Sequence, residues 1–213
     1  MGYTDDMQKP LSGIKVADLT LAGSGPSCTK LLAEYGADVI WVESPKGTTT
    51  RTVHKYDFYT TGKRTIALNL KTPEGMEAVK RIIRDSDVFV SNYRPKGLEH
   101  LHLTYEEVKE INPTIIYATL TGFGEQGEDA DKPGYDSVAF WSRGGLLSDI
   151  AEKGSLVVPP VAVGDIATGM GLFGGICAAL YGRKQTGKGC HISTSLLATA
   201  IYMNHDARIE VQY

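Results

Sequence analysis

The sequence predicts an α/β fold in which a parallel sheet carries helices on its faces. Three observations lead there. Short apolar runs alternate with helix-like patterns in the order β-α-β-α through the first 120 residues. A glycine turn, Ala22-Gly23-Ser24-Gly25, joins the first apolar run to the first helix. The composition, 42% hydrophobic and 22% charged over 213 residues, is that of a globular chain able to bury a core without disulfides or metals. It excludes a disordered tail, a collagen-like chain and a coiled coil.

The elements follow in order. Ile14 to Leu19 reads as the first strand. Pro26 suits the first turn of a helix, where its missing N–H costs nothing, and that helix ends near Tyr35-Gly36. Asp38 to Glu43 is the second strand. Residues 44–63 are polar and turn-rich and read as a surface excursion. Thr65 to Leu70 alternates as a short strand does. Thr72-Pro73-Glu74 opens a helix with a cap, a proline and an early acid, and Met76, Val79, Ile82 and Ile83 form its apolar face. Val88 to Val90 is a buried strand. Thr104 and Glu107 have capping-box spacing before a helix that Pro113 helps to end, and Ile115 to Leu120 is a further strand.

The second half changes character. Thr121 to Pro133 is a glycine-containing loop and Tyr135 to Arg143 a helix. Ile166 to Lys184 is a long helix holding Gly169, Gly171, Gly174 and Gly175. Each glycine costs such a helix about 1 kcal/mol against alanine, so close packing or an adjoining ligand must compensate. Cys190 to Thr194 reads as a strand and Leu196 to Val211 as a last helix. The chain stops at Tyr213 without a closing element and reads as a fragment of a larger protein.

Charge and cysteine usage bound the function. Twenty-two basic and 25 acidic residues leave a net charge of −3, no footprint for nucleic acid or an anionic membrane. Cys28, Cys177 and Cys190 have neither disulfide-framework nor zinc spacing. The polar, acidic start lacks a signal-peptide core, and the richest apolar stretch, Ile166 to Tyr181, is short and full of glycine. The expectation is a cytoplasmic protein with no metal, no nucleic acid and no membrane as partner.

Two places can carry chemistry. Gly23-Ser24-Gly25 follows a strand and opens a helix, and Glu43 ends the next strand. That is a Rossmann-like arrangement, in which glycines admit a pyrophosphate and an acid holds a ribose. Cys28 replaces the third glycine and Pro26 removes a donor, so a dinucleotide-binding module and a plain tight turn both stand. Asp165, in Val163-Gly164-Asp165-Ile166, sits at the predicted N-cap of the glycine-rich helix. Residue physics alone favours a capping carboxylate. The alternative is a nucleophile, ionised at the helix N-terminus, approached past Gly164 and walled by small residues. Asp136 near another helix start reads as a cap. His100 and His102 read as exposed histidines without a third metal ligand. Lys63-Arg64, Lys71 and Arg94-Pro95-Lys96 read as solvated clusters or an anion pocket. Ser193, Ser195 and His191 lack a hydrolase elbow, and Lys184 to Lys188 lacks the leading glycine of a phosphate loop.

Several segments in order resemble class III CoA-transferases, the formyl-CoA transferase or CaiB/BaiF family. They are Leu11-Ser12-Gly13-Ile14-Lys15-Val16, Leu32 to Ile40, Lys63 to Gly75, Asn92-Tyr93-Arg94-Pro95, Lys132-Pro133-Gly134-Tyr135-Asp136, and Gly164-Asp165 before the glycine-rich helix that ends in Gly187-Lys188-Gly189. Thr121 to Gly124 and Ala139 to Leu146 are similar to the 2-hydroxyacyl branch, which includes cinnamoyl-CoA:phenyllactate CoA-transferases of amino-acid fermentation. The resemblance implies the N-terminal part of a CoA-binding large domain from an interlocked homodimer, with the small domain and C-terminal segment lying beyond residue 213. It implies transfer of coenzyme A, as a substrate, between an acyl-CoA and a small carboxylic acid. Asp165 would be the nucleophile, passing through a mixed anhydride to an aspartyl-CoA thioester. By motif position it places CoA at Leu21, Ala22, Leu68, Lys71, Asn92 and Tyr93. Gly23 replaces a glutamine of the formyl-CoA branch, His100 replaces an arginine, and Ser44-Pro45-Lys46 replaces a basic or polar side chain. The departures at Gly23 and at Ser44 to Lys46 speak against oxalate or formate and for a bulkier acyl group, while that at His100 bears on a phosphate contact.

Overall fold

The computed structural model describes residues 9–47, 55–152, 154–155 and 157–205. Six parallel strands form one sheet: β1 (Lys15–Leu19), β2 (Asp38–Glu43), β3 (Arg64–Ala67), β4 (Val88–Ser91), β5 (Ile116–Thr121) and β6 (Cys190–Ser195), in the spatial order β3-β2-β1-β4-β5-β6. The helices are α1 (Ser24–Glu34), α2 (Lys55–Thr60), α3 (Pro73–Arg84), α4 (Pro95–His100), α5 (Tyr105–Ile111), α6 (Leu146–Ile150), α7 (Val163–Thr186) and α8 (Leu196–Met203), with a π-helical turn over Asp136–Ser142.

Alternation along the strands builds two cores. Val16, Val39, Val88, Val90, Ile116, Ala118 and Leu120 face α1 and α7, where they meet Cys28, Leu32, Leu172 and Ile176. Their neighbours Ala17, Leu19, Phe89 and Tyr117 point the other way, onto Val79, Ile83, Leu98 and Val108 of α3, α4 and α5. A one-residue slip would exchange the two sets, so pattern and register fix one another. Full burial of a side chain such as Phe89 contributes roughly 1.5–3 kcal/mol.

The predicted caps of α3 and α5 are present: Thr72 accepts from the Gly75 N–H, and Thr104 and Glu107 form a reciprocal box. Gly36 ends α1 with φ +106. Three short helices, α2, α4 and α6, lie where sequence indicated only loop, and α7 begins at Val163 rather than Ile166. Helix α8 is described to Met203; the remainder predicted to Val211 lies largely outside the described residues.

Helix α7 spans 24 residues with a mean hydropathy of 1.5, enough by length and composition to cross a bilayer. One face of it packs on α1 and the sheet. Gly169 brings α7 so close to α1 that a Cβ there would lie 2.6 Å from the Ser24 carbonyl, and Leu172 and Ile176 are in the sheet core. The opposite face, with Met170 and Tyr181, is exposed.

Between β1 and β4 the order of connections reverses: β1 leads through α1 to β2 on one side, and α3 returns the chain to β4 on the other. The loops at the carboxyl ends of β1 and β4 part there, which opens a crevice in folds of this kind.

Candidate active site

The crevice is a cleft of about 390 Å³ lined by Leu21, Ala22, Ser24, Asn92, Tyr93, the 132–135 segment and Asp165, among others. The loop after β1 is held open by Ala22, a non-glycine residue in the left-handed region at φ 60. The Asn92 side chain spans from β4 to this loop: the Leu21 N–H donates to its Oδ1 at 2.8 Å and its Nδ2 donates to the Leu21 carbonyl at 2.6 Å. On the far wall, Gly122 and Gly134 touch backbone to backbone, so neither tolerates a side chain.

Asp165 is not the N-cap of α7. It is the third helical residue, and Ala162 occupies the cap position at φ 66 with no side-chain bond. The capping carboxylate comes from 29 residues earlier: Asp136 accepts from the Ala162 N–H at 3.1 Å and from the Asp165 N–H at 3.0 Å. Asp136 thus caps α7 rather than its own π-helical turn, whose N-cap is Tyr135. Gly164 fits flush against Phe140 and Asp136, which locks this arrangement.

With Asp136 doing the capping, the Asp165 side chain is free to lean toward α1. Its Oδ2 comes within 2.6 Å of where a Gly23 Cβ would stand. A side chain at position 23 would therefore meet this carboxylate at its first carbon. Partial burial, then the negative charge of Asp136, raise the Asp165 pKa to about 6, against a hydrogen bond with Ser24 that lowers it. The group is still mostly ionised at neutral pH, and is less stabilised than a carboxylate in water.

Of the six other positions expected at the site, Leu21, Ala22, Asn92 and Tyr93 line this cleft. Leu68 and Lys71 line an adjoining one of about 240 Å³, together with Ser44, Pro45 and Tyr93. Tyr93 borders both clefts, which lie at the carboxyl ends of the strands.

Other candidates lie elsewhere. Glu43 is buried at 2% exposure and accepts from the Tyr56 hydroxyl, so it is not open to a ribose. Gly25 packs against Thr20 and Asn92. The dinucleotide reading of Gly23, Gly25 and Glu43 is not favoured. Lys63, expected on the surface, is a correction: its side chain is fully buried and bonds Asp18 Oδ2 at 3.0 Å, Thr29 Oγ1 at 2.6 Å and the Pro26 carbonyl at 3.2 Å. It pins the first turn of α1 from beneath. Arg64 pairs with Asp38, and Arg94 bonds the Asp131 carbonyl. His100 ends α4 and His102 pairs with Glu107; no group of three potential metal ligands occurs among the described residues. Ser195 caps α8, and His191 meets Glu125 and Thr119 on the opposite face of β5 from α7.

The sequence profile of CoA-transferase family III matches residues 11–210. The chain belongs to that family. It is 38% identical over 200 residues to a formyl-CoA:oxalate CoA-transferase from Escherichia coli O6:H1, covering 89% of this chain and 48% of that one. A CaiB/BaiF family protein from Brucella suis superposes with a TM-score of 0.89 at 34% identity, covering 97% of this chain and 58% of that one. A hypothetical protein from Mycobacterium tuberculosis gives a TM-score of 0.90 at 28% identity, with 96% and 59% covered. The chain thus spans about half the length of the curated relatives it matches.

Proposed function

We propose that the protein of which this chain is part moves coenzyme A between an acyl-CoA and a small carboxylic acid, with Asp165 as nucleophile. The observation that carries this reading is the Asp165 carboxylate itself: uncapped, half-buried, ionised and facing a cleft at the switch point of the sheet. Attack on the donor thioester forms a mixed anhydride and releases CoA thiolate. The thiolate then takes Cγ of Asp165, giving an aspartyl-CoA thioester and the donor acid. The acceptor carboxylate attacks that thioester, and a second thiolate attack delivers its CoA ester and restores Asp165.

Two clefts that share Tyr93 support an extended ligand. Leu21, Ala22 and Tyr93 would flank the pantetheine arm beside Asp165, while Leu68 and Lys71 would meet its distal part. Asn92 has both ends of its amide engaged by Leu21, and would act by holding that wall in place. A 2-hydroxy acid as substrate is supported by the resemblance of Thr121 to Gly124 and Ala139 to Leu146 to the 2-hydroxyacyl branch. The exposed apolar side chains of α7 and α8, including Met170, Tyr181, Ile201 and Tyr202, support a homodimer or burial under further chain, as expected for the N-terminal part of a large domain. A cytoplasmic setting in amino-acid fermentation fits these substrates.

The test is mass spectrometry of the full-length protein after incubation with an acyl-CoA and hydroxylamine. Asp165 is expected to be recovered as a hydroxamate. Recovery of unmodified Asp165 from folded, CoA-bound protein that turns over would sink the mechanism.

A further inference from the structure

A second side chain reaches the spot beside Gly23 that Asp165 Oδ2 approaches. A Cβ on Gly23 would lie 3.3 Å from the Tyr59 hydroxyl as well as 2.6 Å from Oδ2, so phenol and carboxylate flank one gap whose floor is glycine. Tyr59 is carried there by α2 and is 5% exposed. Its neighbour Ser27 donates to the Gly23 carbonyl at 2.7 Å, so the phenol proton can turn to a stronger acceptor within reach. Burial raises the phenol pKa, against Ser27, which lowers it, and with the Asp165 charge, which raises it again, so the proton is present at neutral pH.

The proposed route creates such an acceptor. When CoA thiolate attacks Cγ of Asp165 in the anhydride, a C–S bond forms and the carbonyl π pair moves onto the oxygen not shared with the acyl group. That pair returns as the Cγ–O bond breaks and the acyl carboxylate leaves. The same oxygen takes up charge again when the acceptor carboxylate attacks the thioester. A donor within reach of it lowers both barriers.

We infer that Tyr59 is a further catalytic residue, its hydroxyl donating to Asp165 Oδ2 as that oxygen becomes an oxyanion, with Oδ1 left to bond the acyl group. The inference rests on Asp165 being the nucleophile, and the experiment separates the two. Tyr59→Phe and Asp165→Asn are compared with the parent in the full-length protein, by steady-state CoA transfer and melting temperature. Tyr59→Phe is expected to keep KM for the acyl-CoA and to lose about 10²-fold in kcat, the scale of one lost oxyanion donor. Asp165→Asn is expected to be silent. A silent Asp165→Asn beside a Tyr59→Phe of near-parental kcat overturns the role of Tyr59 alone. Transfer by Asp165→Asn overturns the nucleophile first. Should Tyr59→Phe lower the melting temperature, 3-fluorotyrosine at position 59 keeps the shape while acidifying the phenol. The alkaline limb of kcat should then move to lower pH, and a limb that stays in place refutes the donor.

Discussion

The half-buried Asp165 carboxylate is held at some cost, and Asp165→Asn measures that cost. The pKa of Asp165 rises from 3.8 to about 6 on folding. The folded state therefore binds more protons than the unfolded state between those values, and stability falls as pH rises through the interval. Each unit corresponds to 1.36 kcal/mol, so ionised Asp165 destabilises the fold by up to about 3 kcal/mol above pH 7. Asparagine has the same shape and no charge to desolvate or to set against Asp136. In thermal denaturation at pH 8 the variant should melt higher, by about 2–4 °C for each kcal/mol in a chain of this size. At pH 4, where most of the parent's Asp165 is protonated in the folded state, the gap should nearly close. Equal melting temperatures at pH 8, or a gap that does not vary with pH, would show that the carboxylate is neither desolvated nor repelled, and the account of its nucleophilicity would fail with it.

Two further outcomes follow from packing. Gly169→Ala places a methyl 2.6 Å from the Ser24 carbonyl and should destabilise by about 1–3 kcal/mol less the helix-propensity gain, whereas Gly174→Ala, with nothing within 4 Å, should stabilise by up to about 1 kcal/mol; denaturant titration of the pair compares them. Lys63→Met leaves Asp18 buried without its ion-pair partner and should cost about 3–5 kcal/mol, most of it recovered in the double variant with Asp18→Asn, as a double-mutant cycle would show.

The fold was legible wherever a signal is local. Thr72, Thr104 and Gly36 announce helix ends within four residues of themselves, and the strands of the sheet are short apolar runs. Helices α2, α4 and α6 are one to two turns long, too short for a period to emerge, and depend on what they pack against. The site was legible in its parts and not in its assembly. Asp165 stood out because an acid precedes a glycine-rich helix, yet its position in the first turn looked like a cap. Only the fold brings Asp136 across 29 residues to take that role. Lys63 looked solvated because its partner, Asp18, lies on a strand two places away in the sheet. Nothing near Tyr59 in sequence marks it as a neighbour of Asp165; α2 and Gly23 bring them together.

The paired hydrogen bonds between Asn92 and Leu21 work as a clasp across the seam of the sheet. Because both teeth engage backbone, the floor of the cleft cannot widen without unfastening the ends of two central strands. Any change in the girth of a ligand seated in this cleft has to be absorbed by the opposite wall. Divergence in substrate among proteins built this way should accordingly be written in the segment from Gly122 to Tyr135, while the floor stays fixed.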